Sequence, residues 1–170
     1  MTRRVLGGVL ILLILLEGCG YTFLTAPSTA GKKLALLDFR NTTAQPGIEG
    51  MITAALLERL AASGINVVPE KEAELLLGGE VTGYETSAVA FSQADIGSRF
   101  RLHLLATITL KEAGKDGPLL REQVVGEAFY LASPELTATK GAEAEAVLRA
   151  SQDLGQRIVD RVVEAFLLSP

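Results

Sequence analysis

The spacing of hydrophobic and polar positions changes several times along this chain. Lys33 to Phe39, KLALLDF, is a short apolar run that predicts a strand. Arg40 to Pro46, RNTTAQP, reads as a loop, with Pro46 suited to the first turn of a helix. Ile48, Met51, Ile52, Ala55, Leu56 and Leu60 then recur at helical spacing and predict a helix over 47–62, ended by Gly64. Ile65 to Val68 is a second short strand, closed by Pro69. Glu74 to Phe91 is strand-like, and Gly78, Gly79 and Gly83 within it mark a bulge or a close approach of another backbone.

Ser92 to Ser98 reads as a turn. From Arg99 the period is two. Phe100, Leu102, Leu104, Ala106, Ile108 and Leu110 point one way; Arg99, Arg101, His103, Thr107 and Thr109 point the other, with Leu105 as the exception. That is a half-buried antiparallel strand. Lys111 to Pro118, with Gly114 and Asp116-Gly117, is a hairpin turn, and Leu119 to Leu131 is the returning strand. A polar connection bracketed by Pro134 and Gly141 leads to a long helix over 142–168. Its predicted inner stripe is Ala144, Val147, Ser151, Leu154, Ile158, Val162, Ala165 and Phe166. The order strand, helix, four strands, helix predicts an α+β two-layer sandwich, with two helices packed on one face of a mixed four- to five-stranded sheet. The expected organisation is one domain over 33–170.

The N-terminus follows different rules. Arg3 and Arg4 precede an unbroken apolar run from Val5 to Leu16. As a helix that run would span only ~18 Å, against the ~30 Å of a bilayer core. A positive start, a short greasy stretch and a small residue before a cleavage point mark a secretory signal. Leu16-Glu17-Gly18-Cys19 resembles the end of a bacterial lipoprotein signal, although Glu17 is unusual there; the other reading is an anchor helix with an incidental Cys. The resemblance implies that residues 1–18 are removed and that Cys19 takes a covalent lipid, because a thiolate is the nucleophile that chemistry needs. Several acyl chains anchor firmly where one is marginal. Gly20, where an Asp would favour the inner membrane, is compatible with the outer one. Residues 19–32 would form an acylated tether, in which Tyr21 and Phe23 are unexpectedly aromatic.

Cys19 is the only cysteine, so no internal disulfide is possible. A formal net charge of -4 shows no global basic field, and no nucleic-acid partner is expected. The chain shows little catalytic equipment. His103, the sole histidine, lies mid-strand without ligands at metal spacing and reads as a surface or interface residue. Gly78-Gly79 lacks the sequence of a phosphate loop and reads as bulged strand. Asp38 has no partner and reads as a loop-capping residue. No Ser or Cys nucleophile has a visible base, and no metal or diffusible cofactor is expected. The basic residues of the predicted hairpin, Arg99, Arg101, Lys111, Lys115 and Arg121, together with Lys140, either form a solvated, edge-protecting face or bind an anionic amphiphile.

Cys19-Gly20-Tyr21-Thr22-Phe23 after the signal, then LALLDFRNTT, PGIE opening a helix, EAELLLGGEVTGYE, the Arg-rich hairpin and a C-terminal helix resemble, in order, the LptE family of lipopolysaccharide-assembly lipoproteins. The resemblance implies a two-layer sandwich without enzymatic activity. It would sit lipid-anchored on the periplasmic side of the bacterial outer membrane, inside the large barrel LptD. There it would plug and help assemble the barrel and aid lipopolysaccharide delivery. The family's basic residue before the last helix is matched by Lys140. The one in the turn before the alternating strand is unmatched, with Arg99 and Arg101 following slightly later. Lys140, Arg99, Arg101 and Arg121 are therefore the candidates for lipopolysaccharide contact. LALLDFRNTT and LLERLAASGINVVPE also resemble envelope lipoproteins of the curli-secretion and synthase-activator types, whose α/β domains bind proteins instead.

Overall fold

The structure is a computed structural model, and it describes residues 33–91 and 97–168. The signal, Cys19, the tether and most of the predicted turn at 92–98 lie outside those residues. The elements are β1 (Lys33–Asn41), α1 (Ile48–Ala62), β2 (Asn66–Val67), a 3-10 turn (Glu70–Glu72), β3 (Leu75–Phe91), β4 (Gly97–Glu112), β5 (Leu120–Leu131) and α2 (Leu136–Leu168). The five strands form one mixed sheet in the order β2-β1-β3-β4-β5. β1 runs parallel to β2 and β3, and β3, β4 and β5 form an antiparallel meander. The expected α+β architecture is what the chain adopts.

The period-two pattern of β4 is obeyed: Leu102, Leu104, Ala106, Ile108 and Leu110 are fully buried beneath the helices. Val124, Ala128 and Tyr130 of β5 and Leu75, Leu77 and Val81 of β3 share that face. Ile48, Ile52, Leu56 and Leu60 of α1 and Ala146, Ala150, Leu154, Ile158 and Val162 of α2 complete the same cluster. Both helices thus cover one face of the sheet.

Two glycines set how closely these layers approach. A Cβ on Gly126 of β5 would stand 2.5 Å from Leu154 Cβ and 2.8 Å from Leu154 N, and closer still to the carbonyl oxygen of Ala150. α2 therefore lies directly on the β5 backbone. At the helix crossing, a Cβ on Gly155 would lie 3.1 Å from Ala55 Cβ, so the two helices also meet through small residues.

Several expected boundaries move, each for a local reason. Helix α1 begins at Ile48, because Gly47 takes a left-handed conformation (φ 86°) and turns the chain into it. Asp38 is an exposed residue inside β1 and caps no loop. Asn41 has that role: its amide donates to Gln45 O and Glu49 Oε2, and its oxygen accepts from the backbone N–H of Thr43. Helix α2 starts at Leu136, six residues before the expected start, and runs through Gly141. Thr139 secures this first turn, donating to Ser133 O and accepting from the Ser133 N–H. These bonds offset the cost of a helical glycine, about 1 kcal/mol.

The inner stripe of α2 is wider than predicted. Ala146, Ala150 and Val159 are buried with Val147, Ser151, Leu154, Ile158 and Val162, while Ala144 is exposed. The helix packs on both β5 and α1, so two adjacent flanks are covered. The buried Ser151 hydroxyl donates to Val147 O at 2.8 Å, which satisfies it without a partner outside the helix. Gly79 is a close-approach glycine: its Cβ would stand 2.8 Å from Phe39 Cζ and 3.0 Å from Thr107 O. The β1–β3 register also shifts here, between Leu36 and Phe39 opposite Leu77 and Gly79, and the β3–β4 register shifts between Val81 and Gly83 and again between Ala88 and Phe91.

Tyr84 fastens β3 to the start of α2. Its hydroxyl donates to Glu143 Oε1 at 2.7 Å, while Phe100 and Tyr130 stack nearby with centroids 5.3 Å apart. Burial first, and then the Glu143 carboxylate, push the Tyr84 hydroxyl well above its ordinary pKa of 10. A raised folded-state value means the native protein holds this proton where the unfolded chain has lost it. The bond's stabilisation is then complete below pH 10 and declines as pH climbs toward the folded value. Tyr84→Phe should therefore lower stability at neutral pH by about 1 kcal/mol. It should also flatten the loss of stability that denaturant titrations detect above pH 10. An unaltered alkaline slope in the variant would contradict this.

Candidate functional site: the uncovered face of the sheet

The helices leave the second face of the sheet bare among the described residues. Cross-strand pairing decides what it displays. Arg101 of β4 faces Phe129 of β5, His103 faces Glu127, Leu105 faces Val125, Thr107 faces Gln123 and Thr109 faces Arg121. On the other side of β4, Thr109 faces Gly78 and Thr107 faces Glu80. Because side chains alternate, every residue in these pairs lies on the uncovered side.

Two different ends emerge. At the β3–β4 end, the guanidinium carbons of Arg99 and Arg101 lie 4.6 and 5.4 Å from the centre of the Phe129 ring. Both cations are held by the ring's negative face. Glu127 draws Arg101 inward, with Nε at 3.3 Å from its Oε2, and His103 Nε2 lies 2.8 Å from the same oxygen. His103 is thus a half-buried member of an Arg–Glu–His cluster rather than a simple surface residue. Leu131, opposite Arg99, and Leu136, five residues later at the start of α2, are two of the most exposed large apolar side chains described (66% and 68%). Lys140 lies one helical turn after Leu136, on the same side of α2. Arg99, Arg101 and Lys140 therefore share one end of the molecule with exposed leucines.

Arg121 is elsewhere. It sits at the opposite end of β5, ten residues from Leu131 and roughly 33 Å along the strand. Arg121 and Lys111 make no side-chain hydrogen bond or ion pair among the described residues, whereas Lys115 pairs with Glu112. The four sequence candidates thus divide three to one.

The sequence reading missed the outer edge of β5. An edge strand offers unpaired backbone groups to any passing strand. Here α2 reaches over to cover them. Asp153 Oδ2 accepts from the Glu127 N–H at 2.8 Å, and Arg149 Nη2 donates to Phe129 O at 2.9 Å. Arg157 holds Asp153 in place at 2.9 Å. A polar stripe four residues apart, Arg149, Asp153, Arg157, was the available signal. It becomes interpretable only once β5 is known to be the edge.

Among the described residues no group of His, Cys, Asp or Glu could hold a metal ion, and no helix is long and apolar enough to cross a membrane. The face offers cations, an aromatic ring and apolar side chains, which suits recognition of an anionic or amphiphilic surface.

Comparison with known proteins places this geometry. No curated protein matches the chain. Rare lipoprotein B from Shewanella oneidensis has a similar fold (TM-score 0.59, 15% identity), covering 80% of this chain and 97% of that one. A minor lipoprotein from Acinetobacter baumannii gives a TM-score of 0.55 at 17% identity, covering 78% and 91%. A protein from Xanthomonas campestris gives 0.61 at 11% identity, covering 80% and 86%. At these identities the likeness is one of fold. The family model described as LptE, Lipopolysaccharide-assembly, matches residues 31–162. Residues 31–162 contain all five strands, α1 and most of α2, and so this chain belongs to the LptE family of lipopolysaccharide-assembly proteins.

Proposed function

We propose that this protein is an outer-membrane lipoprotein, held on the periplasmic side by a lipid on Cys19, that plugs and helps assemble an LptD-like β-barrel and aids delivery of lipopolysaccharide to the cell surface. It acts by binding and not by catalysis. The observation that carries this reading is the two-sided sheet. One face is sealed by helices, while the other presents Arg99, Arg101, Leu105, Val125 and Phe129 without a covering layer. A bare sheet face of mixed polarity suits a protein surrounded by the lumen of a partner.

The end that carries Arg99, Arg101 and Lys140 together with Leu131 and Leu136 is the part we assign to lipopolysaccharide. Guanidinium and ammonium groups would meet phosphates, and the leucines would meet acyl chains.

The test has two arms. A detergent pull-down with the full acylated chain from outer membranes should recover a very large β-barrel; recovery of a different partner would support the curli-secretion or synthase-activator type of function instead. In the second arm, Arg99→Glu with Lys140→Glu should weaken lipopolysaccharide binding about tenfold, the loss of roughly 1.4 kcal/mol. Unchanged binding in that variant would remove lipopolysaccharide contact from the proposal and leave the barrel partner standing.

A further inference from the structure

We infer that the opposite end of the uncovered face holds a separate anion site, built for a phosphate group, around Lys111 and Arg121. Here the sheet has a depression of about 350 Å³. Gly78 gives it a floor without a side chain, and Leu37 packs beside that floor, 3.4 Å from where a Cβ would be. Thr107 and Thr109 of β4 line it, with Lys111 and Arg121 at one side.

The register explains the convergence. Thr109 stands between Gly78 on one neighbouring strand and Arg121 on the other. Lys111 is two residues further along the same face of β4. Directly opposed residues are roughly 5 Å apart at Cβ, so the guanidinium fork, the ammonium group and the Thr109 hydroxyl can reach one small anion together. A phosphate has three oxygens to accept from three such donors.

Charge bookkeeping supports an incoming anion. The rim also carries Arg40, Glu80 and Asp38. Arg40 Nη2 donates to Glu80 Oε1 at 2.7 Å, so that pair is internally balanced. Lys111 and Arg121 have no acidic partner among the described residues, and Asp38 is the one opposing charge on the rim without a partner of its own. Two unpaired cations facing one unpaired carboxylate leave a net positive site in a chain whose formal net charge is -4. Arg121 thus belongs to this site and not to the Arg99 end.

The inference does not depend on the barrel reading. It concerns the isolated chain and a phosphate probe, so a failed pull-down and a failed titration are distinct results. The experiment is an NMR titration of the full chain in neutral-detergent micelles, following the amides of Gly78, Thr107 and Thr109. One arm adds inorganic pyrophosphate; the other dopes the micelles with phosphatidic acid. Saturable shifts with pyrophosphate would support a site for free phosphates, and shifts with phosphatidic acid alone would support a lipid headgroup site. Lys111→Glu with Arg121→Glu should weaken either response at least tenfold, and Asp38→Asn should tighten it about twofold. Lys71→Glu, outside the lining of the depression, should change nothing. No response to either probe, or an undiminished response in the double variant, would overturn the inference.

Discussion

Gly126→Val lowers the thermal midpoint of the protein by about 9 °C. The reason is the absence of space. Even a Cβ at this position would stand 2.5 Å from Leu154 Cβ and 2.8 Å from Leu154 N, and closer to Ala150 O. Two of the three obstacles are backbone atoms of α2, which cannot rotate away. The helix must lift from β5, and the edge bonds from Asp153 and Arg149 weaken with it. Overpacking of a close core contact costs about 3 kcal/mol at the upper end of its usual range. For a chain of this size that corresponds to about 3 °C per kcal/mol. Differential scanning calorimetry on the full chain checks it, and a midpoint within about 3 °C of the parent would show that α2 does not lie directly on the β5 backbone.

Leu154→Ala is expected to be at least as damaging, by the opposite mechanism. Leu154 is 0% exposed, and it packs over Gly126 within the core shared with α1. Its truncation removes apolar burial and leaves a cavity that the neighbouring backbone cannot close. Such changes cost about 2 to 5 kcal/mol. Because Gly126 and Leu154 touch, the two substitutions should not add. Gly126→Ala in the Leu154→Ala background should cost less than Gly126→Ala alone, since the volume that the leucine's outer carbons vacate lets residue 126 and the helix adjust around each other. Rescue should be incomplete, because Ala150 O, Leu154 N and the Cβ that alanine keeps at 154 all remain. Urea titrations of the four proteins form the required cycle. Strict additivity would mean that the contact is not the one drawn here.

Both effects arise at positions that look ordinary in the sequence. Gly126 sits inside a run of alternating residues, where a glycine suggests only a bulge or a close approach. The register between β4 and β5 continues undisturbed past it, so the close approach is the correct alternative. The chain reveals nothing of what approaches, because the helix that does so begins ten residues later and meets it again at residue 150.

The functional face was legible to a similar degree. The alternation from Arg99 to Leu110 assigned Arg99, Arg101 and His103 to one side of a strand, and they are there. The sharing of Glu127 between Arg101 and His103, and the placement of both arginines over Phe129, depended on the pairing with β5. Asp38 shows the same limit. Turn chemistry favoured a cap at the end of a short strand, but β1 continues three residues further alongside β3, and Asn41 makes the cap.

Local periodicity determined which elements form, in what order, and most of their buried positions, because a strand repeats every two residues and a helix every 3.6; Met51 and Ala144, on the predicted inner faces, are exposed all the same. Residues in order along the chain also carried the family resemblance that the match over 31–162 bears out. Tertiary structure decided which strand is the edge, which side of the sheet stays bare, and that Arg121 lies far from Arg99 while Lys140 lies toward the Arg99 end. Those are distances between segments remote in sequence. They are set by register and by the backbone contact at Gly126, and neither is a property of any local stretch.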